Sequence, residues 1–126
     1  MSCSCGSGKE YDACCGIYLE GTLWAPSPET LMRSRYTAYT RQNFQYIQKT
    51  MKGAALAAFD PIQSKEMAKA TKWLKLQVLS YSQNGDEGTV EFIAFFQFQE
   101  QDQMLHEVSH FQKIQGQWYY VSGTVS

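Results

Sequence analysis

The pattern of apolar and polar residues changes near residue 72. Before this point, apolar residues recur at helical spacing, and after it they alternate with polar residues, as they do in strands. The first half predicts helices over 28–41, 44–51 and 64–72, with an alanine-rich segment at 53–61 that fits neither pattern. The second half predicts strands over 73–83, 89–99, 104–115 and 117–125. Helices followed by an antiparallel meander indicate an α+β domain. We expect a helix to pack in a curved sheet, which gives the domain the shape of a small cone.

Capping and turn residues set the expected boundaries. Ser27 followed by Pro28 is typical of a helix start, and Ser64 is predicted to cap the third helix. The glycine- and proline-punctuated segment 16–28 is predicted to be a connector. The run at 84–88, Asn-Gly-Asp-Glu-Gly, is typical of a tight turn between the first two strands.

The second strand predicts a core face and a second face that is partly apolar. The core face comprises Val90, Phe92, Ala94, Phe96 and Phe98. The opposite face also carries Ile93 and Phe95, so we expect it to be covered, either by a second copy in a homodimer or by the N-terminal segment. The alternative is that these are scattered exposed apolar residues, which are normal on protein surfaces.

The third strand mixes polar and apolar residues on both faces. One face comprises Leu105, Glu107, Ser109 and Phe111. If this face is turned inward, Glu107 and Ser109 point into the cone. His106 and His110 share the other face and are predicted to be surface or dimer-face residues, because no third ligand accompanies them; a metal site is the alternative.

A charged residue interrupts the helix face that should be buried. Arg35 lies between Leu31 and Tyr39 on that face, and a buried charge needs a partner. The fork of arginine suits a carboxylate, so we predict that Arg35 pairs with Glu107. The pair either clamps the helix to the sheet or lines a pocket for a small polar ligand. The candidate pocket or ion-pair residues are Arg35, Glu107, Ser109, Tyr39 and Trp118.

Composition narrows the class of protein. The chain has 126 residues, of which 44% are hydrophobic and 18% charged, as in a globular domain. Its net charge of −1 argues against nucleic acid as a partner. The longest strongly apolar run, around 92–98, is too short to span a bilayer, so no membrane role is expected. No secretory leader is recognisable, and a cytoplasmic location is predicted.

All four cysteines lie within the first fifteen positions, at Cys3, Cys5, Cys14 and Cys15. Thiols stay reduced in the cytoplasm, and four thiolates suit one tetrahedral, closed, structural zinc ion per chain. Two disulfides, a redox site and four free thiols are the alternatives. The expected organisation is a zinc knuckle over 1–20 and an α+β domain over 21–126, with loss of the metal disordering the knuckle alone.

The cysteine pattern, Cys3-x-Cys5-Gly6-Ser7 followed by Cys14-Cys15, resembles the SEC-C motif. This zinc knuckle also ends the preprotein-translocase motor ATPase, where it contacts the export chaperone. Further stretches resemble the uncharacterised bacterial YchJ-like family, namely 31–39 (LMRSRYTAY), 73–76 (WLKL), 90–92 (VEF), 107–111 (EVSHF) and 116–120 (GQWYY). The resemblance implies a nuclear transport factor 2-like (NTF2-like) cone, four cysteine zinc ligands and contact with a protein partner. Ser4 departs from the motif, which often has proline there, and many relatives carry a second SEC-C motif that is not found here.

Two functions follow as hypotheses. The first is a zinc-knuckle adaptor that uses the cone as a scaffold and binds an unidentified protein. The alternative is a small-molecule-binding protein or enzyme that uses a pocket near Arg35 and Glu107. An enzymatic role is uncertain and less expected than a binding role. A neighbouring arginine would keep Glu107 ionised, which makes its carboxylate a poor general base. An adaptor should have a filled cone, whereas a binding protein should have an open pocket with both residues in its wall.

Overall fold

The computed structural model describes residues 2–125 and has the predicted α+β architecture. A short 3₁₀ turn over Tyr11–Ala13 precedes a series of helices and then the sheet. The helices are α1 (Gly16–Leu19), α2 (Pro28–Thr40), α3 (Phe44–Lys49), α4 (Gly53–Ala58) and α5 (Pro61–Ala70). The strands are β1 (Thr71–Asn84), β2 (Glu87–Phe98), β3 (Gln101–Ile114) and β4 (Gln117–Val125).

The sheet is the predicted antiparallel meander, with strand order β1-β2-β3-β4. Register shifts interrupt β1 on both sides of its middle, between Trp73 and Lys75 and between Val78 and Ser80. Bulges of this kind increase the local twist and bend a sheet. The curved inner face packs on α2, which contacts β1, β2 and β4.

Helix starts follow capping chemistry, with one difference from expectation. Ser27 caps α2 as predicted, since its side chain accepts a hydrogen bond from the backbone nitrogen of Thr30. The last helix begins three residues earlier than predicted, because Asp60 rather than Ser64 is its cap. Asp60 accepts from two backbone nitrogens and is followed by Pro61, the same cap-then-proline order as at α2. The ambiguous alanine-rich segment forms the short helix α4.

The core joins the cone and the cysteine segment in one cluster. Phe111, Trp118 and Leu31 are among its largest fully buried side chains. Cys5 and Cys15, with exposed fractions of 0% and 2%, belong to the same cluster. The knuckle is therefore packed into the domain rather than tethered beside it.

The outer face of the sheet keeps the mixed character expected from the sequence. Ile93 and Phe95 are half-buried on this face, while Met104 is 63% exposed. His106 lies there as predicted, with its Nε2 atom 2.7 Å from a carboxylate oxygen of Glu91. No helix found between residues 2 and 125 has the length and apolar character needed to cross a bilayer.

Candidate metal centre and cone pocket

A tight loop and two short helical turns bring the four cysteines together. Gly6 has a φ of +82°, which an L-side chain rarely adopts, and turns the chain directly after the first cysteine pair. The 3₁₀ turn then leads into the second pair. The sulfurs that converge, all within 4.8 Å of one another, are those of Cys3, Cys5, Cys14 and Cys15.

The sulfur spacing fits a tetrahedral ion. Metal–sulfur bonds of about 2.3 Å in a tetrahedron place the sulfurs about 3.8 Å apart. The Sγ atoms of Cys5 and Cys14 are 3.6 Å apart, and those of Cys14 and Cys15 are 4.0 Å apart. None of the four cysteines forms a disulfide bond. Four sulfur ligands would complete the shell of a structural zinc ion and leave no position for substrate.

The thiols perturb one another strongly because they are crowded. A hydrogen bond from Cys15 lowers the pKa of the Cys5 thiol to about 4, with burial opposing it. The same hydrogen bond raises the pKa of Cys15, and burial raises the pKa of Cys14. Four thiolates at this spacing need a cation between them.

Helix α2 holds the knuckle from outside the sulfur cluster. Nη1 of Arg33 donates a 2.7 Å hydrogen bond to the backbone oxygen of Cys5. The hydroxyl of Thr37, one turn further along, lies 3.6 Å from the sulfur of Cys3. Ser7 supplies a hydroxyl 3.1 Å from the sulfur of Cys14. Such contacts orient ligands and disperse their charge, so they belong to the site as much as the cysteines do.

The cone is open and contains a pocket of about 660 Å³. The wall comes from α2, α5 and the inner faces of the strands. Its aromatic residues include Tyr39, Trp73, Phe92, Phe96, Phe98 and Tyr120. Trp73 is the centre of this group, with ring centroids 5.2 Å from Phe96 and 5.9 Å from Tyr39. A volume of this size is within the range of small-molecule sites.

Arg35 reaches the pocket from α2, but it does not form the predicted ion pair. In residues 2–125, no ion pair within 4.0 Å joins Arg35 to Glu107. Nη1 of Arg35 instead donates to the backbone oxygen of Ile47 at 2.8 Å and to the hydroxyl of Thr50 at 2.7 Å. Its guanidinium carbon lies 4.6 Å from the ring centroid of Tyr120. The charge is satisfied by a carbonyl, a hydroxyl and an aromatic face, not by direct contact with a carboxylate.

Glu107 contacts the hydroxyl of the same tyrosine. Its Oε2 atom accepts a 2.6 Å hydrogen bond from Ser109 and a 3.1 Å hydrogen bond from the hydroxyl of Tyr120. A Cβ atom at Gly123 would lie 2.5 Å from both that carboxylate oxygen and the tyrosine hydroxyl. Because glycine has no side chain, Gly123 leaves room for the carboxylate of Glu107 and the hydroxyl of Tyr120.

The structure brings most of the predicted pocket residues together. Arg35, Tyr39, Glu107 and Ser109 all line the pocket. Trp118 does not, because it is 1% exposed within the core and its backbone oxygen accepts a 2.8 Å hydrogen bond from the indole of Trp24.

Sequence reasoning missed three residues that shape the site: Thr50, Gly123 and the specific role of Tyr120. Tyr120 was noted only as part of the stretch 116–120 (GQWYY). Thr50 ends a helix and Gly123 lies in an edge strand. The pattern of polar and apolar residues does not mark either position as part of a site. Their roles depend on side chains that come from distant segments, so no local spacing could have identified them.

The family comparisons agree with the geometry. The family model described as "YchJ, middle NTF2-like domain" matches residues 27–123. A UPF0225 protein of Geobacter sulfurreducens is 38% identical over 124 residues, which cover 96% of this chain and 77% of the relative. A UPF0225 protein of Serratia proteamaculans is 40% identical over 126 residues, covering 97% of this chain and 82% of the relative.

Two solved structures have the same arrangement across the whole chain. A SEC-C motif containing protein from Rhodopseudomonas palustris has a TM-score of 0.92 and 44% identity, with coverage of 100% of this chain and 99% of the other. A SEC-C motif containing protein from Psychrobacter arcticus has a TM-score of 0.85 and 30% identity, with coverage of 100% and 83%. The chain belongs to the YchJ-like UPF0225 family, with an N-terminal SEC-C motif and an NTF2-like domain.

Proposed function

We propose that this protein is a zinc-stabilised binding protein that holds a small, mostly apolar molecule in its cone. The observation that carries the proposal is the open pocket of about 660 Å³ with Arg35 and Glu107 in its wall. An adaptor whose cone is only a scaffold would fill this space with side chains. The aromatic lining favours a ligand with an apolar body, since such surfaces are stabilised by burial.

Zinc is the metal that the four cysteines support best. Its preference for four sulfur ligands, and the spacing described above, favour one structural ion per chain. Thiolate ligands require reduced cysteines, so a cytoplasmic location is part of the proposal. Elemental analysis of protein purified without added metal or chelator should find about one zinc per chain. Absence of metal together with absence of free thiols would contradict this assignment.

Binding rather than catalysis fits the chemistry of the pocket wall. Among the described residues that line the pocket, Glu107 is the one carboxylic acid, and none is a histidine. Its Oε2 atom already accepts two hydrogen bonds. A general base needs an available atom near a reacting proton together with supporting groups. Besides Glu107 and Arg35, the titratable groups of the described wall residues are the phenols of three tyrosines.

The binding proposal can be tested with a neutral fluorescent dye, N-phenyl-1-naphthylamine, whose emission rises in apolar sites. Phe96 lines the pocket, whereas its neighbour Phe95 lies on the outer face of the sheet. We expect Phe96→Ala to weaken dye binding about tenfold and the matched variant Phe95→Ala to leave it unchanged. Equal effects of the two variants, or no dye binding by the wild-type protein, would contradict a ligand site in the cone.

A protein-binding adaptor is the second candidate, favoured by the exposure of the knuckle loop. Residues 6–10 are all exposed, although the cysteines on either side pack into the core cluster. The export chaperone that contacts other SEC-C motifs is the first partner to test. We would compare its binding to wild-type protein and to Lys9→Glu by calorimetry. Loss of binding in Lys9→Glu but not in Phe96→Ala would support the adaptor, and no binding to wild type would remove this partner.

A further inference from the structure

The inner end of the cone pocket carries two opposite charges whose hydrogen bonding is incomplete. Both hydrogen bonds of the Arg35 guanidinium come from Nη1, and none from Nε or Nη2 is found within residues 2–125. Likewise, Glu107 receives its hydrogen bonds at Oε2, and Oε1 accepts none from the described residues. Arg35 therefore has unused hydrogen-bond donors, and Glu107 has an unused acceptor.

These unused atoms are accessible. In the described part of the chain, the indole nitrogen of Trp118 is the one fully buried side-chain nitrogen or oxygen without a partner. The unused nitrogens of Arg35 and the unused oxygen of Glu107 are thus not sealed inside the core, although Arg35 is only 6% exposed. Both residues line the pocket.

The two charges oppose any net charge on a ligand at this end. Burial lowers the pKa of Arg35, while the neighbouring tyrosines and Glu107 act in the opposite direction. Arginine nevertheless stays protonated in proteins, so the guanidinium keeps its charge. An anion that approaches Arg35 meets Glu107, and a cation that approaches Glu107 meets Arg35. A neutral group with one acceptor and one donor can use both without adding an unbalanced buried charge.

The other end of the pocket has a different character. Glu107 is paired with Phe92 in the sheet, and the inner positions that follow along β2 are Ala94, Phe96 and Phe98. The wall thus changes from a charged inner end to an aromatic channel that reaches α5. A ligand that fits both regions needs a flat apolar body and one polar end.

We propose that the cone binds an uncharged aromatic or polycyclic molecule with an amide-like polar end, its acceptor on Arg35 and its donor on Glu107. This inference deepens the proposed binding function and rests on it. The occupant is a small molecule that is neutral at physiological pH. Fatty acids, other carboxylates and simple amines are excluded as preferred ligands.

A series of four compounds with one apolar body tests the inference on the unmodified, metal-loaded protein. The probes are naphthalene-2-carboxamide, naphthalene-2-carboxylate, 2-naphthylmethylammonium and naphthalene itself, titrated by calorimetry at neutral pH. We expect the carboxamide to bind at least about tenfold more tightly than any of the other three. Equal or tighter binding of the carboxylate, the ammonium or the parent hydrocarbon would overturn the inference while leaving the binding function in place. If none of the four binds while N-phenyl-1-naphthylamine does, the inference fails and the binding function stands; if the dye does not bind either, the proposed function itself fails.

A charge-removing variant sharpens the same experiment. In Glu107→Gln the charge of Arg35 loses its opposing neighbour, so the preference should move from the carboxamide to the carboxylate by about tenfold. Glu87→Gln makes the same charge change at an exposed position in β2 and should keep the wild-type order. A folded Glu107→Gln protein with the wild-type order would contradict the inference. If that variant does not fold, the wild-type series decides alone.

Discussion

Helix α2 serves two sites from two of its faces, and the sites are built differently. Arg33 and Thr37 face the cysteine knuckle, with hydrogen bonds to the chain or sulfur of its ligands. Arg35 and Tyr39 face the cone pocket. Residues two positions apart on one helix therefore contribute to the candidate metal centre and to the cone pocket.

The metal centre is local in sequence, whereas the pocket is not. Its four ligands lie within residues 3–15, and the turn that joins them is set by Gly6. The pocket wall draws on α2, α5 and all four strands. A local cluster of one residue type can be recognised from spacing alone, but a wall assembled from distant segments depends on the completed fold. The two sites should also respond differently to mutation, since one depends on an ion and the other on packing.

Loss of the metal should produce the largest effect. Because Cys15 is 2% exposed in the shared core, we expect Cys15→Ser to release zinc and to destabilise the whole protein by several kcal/mol, not the knuckle alone. Structural zinc contributes on the order of 10 kcal/mol in small domains, which sets the upper scale. Thermal unfolding with and without a chelator, together with zinc content, measures this effect.

Cys14 offers a matched comparison, because it has the same ligand chemistry but is only half-buried. Cys14→Ser should release zinc with a smaller loss of stability. An unchanged melting temperature of the cone in both variants, with disorder confined to residues 2–20, would show that the knuckle and the cone are energetically separate. That result would support the two-part organisation expected from the sequence.

The sequence anticipated the architecture because its cues are local. Alternation identified the inner face of β2 correctly, since Val90 and Ala94 are 0% and 1% exposed. Ser27 marked the start of α2 for the same reason, as a cap acts on the next turn only. The start of α5 was misplaced because Asp60 and Ser64 are both good caps, and only the completed chain shows which one accepts hydrogen bonds.

The partner of Arg35 shows where sequence reasoning stops. The need for a partner followed from the position of the arginine on a buried face, and burial is confirmed. The partner's identity did not follow, because the carbonyl of Ile47 and the hydroxyl of Thr50 are supplied by a neighbouring helix end. A hydrogen bond to a backbone carbonyl cannot be predicted from the pattern of side chains along the sequence. Glu107 was placed correctly in the cone, yet Tyr120 rather than Arg35 holds it.

Removing the charge of Arg35 should have the next largest effect, this time on the pocket side of α2. Arg35→Leu removes the two hydrogen bonds that a charged donor makes to the carbonyl of Ile47 and the hydroxyl of Thr50, and it leaves Glu107 without its nearby positive charge. Because two buried hydrogen bonds from a charged group are lost, we expect a loss of about 3–5 kcal/mol in the free energy of unfolding, with zinc content unchanged. Chemical denaturation measures the loss. Lys69→Ala, which removes an exposed charge from α5, is the control and should change stability by no more than about 0.5 kcal/mol.

Adding one methyl group at Gly123 should disturb only the charged end of the pocket. The new Cβ would lie 2.5 Å from a carboxylate oxygen of Glu107 and from the hydroxyl of Tyr120, so at least one of them must move. We expect Gly123→Ala to cost about 1–3 kcal/mol and to weaken carboxamide binding, with no change in zinc content. Ser122→Ala, the neighbouring position in β4, is the control. Wild-type stability and binding in Gly123→Ala would show that the carboxylate does not need this space.

The smallest of these effects should come from Arg33, which supports the knuckle without touching the metal. Arg33→Ala removes the hydrogen bond to the backbone oxygen of Cys5, and its side chain is partly exposed, with an ion pair to Glu29. We expect about 1 kcal/mol of lost stability and about tenfold faster zinc release to a chelator, because contacts outside the ligand shell orient the ligands. Arg41→Ala, which removes a cation stacked 3.5 Å from the ring centroid of Tyr11, tests whether any anchor of the knuckle has this effect. If Arg33→Ala released zinc at the wild-type rate, Arg33 would not help to hold the metal, and the contribution of α2 to this site would rest on Thr37.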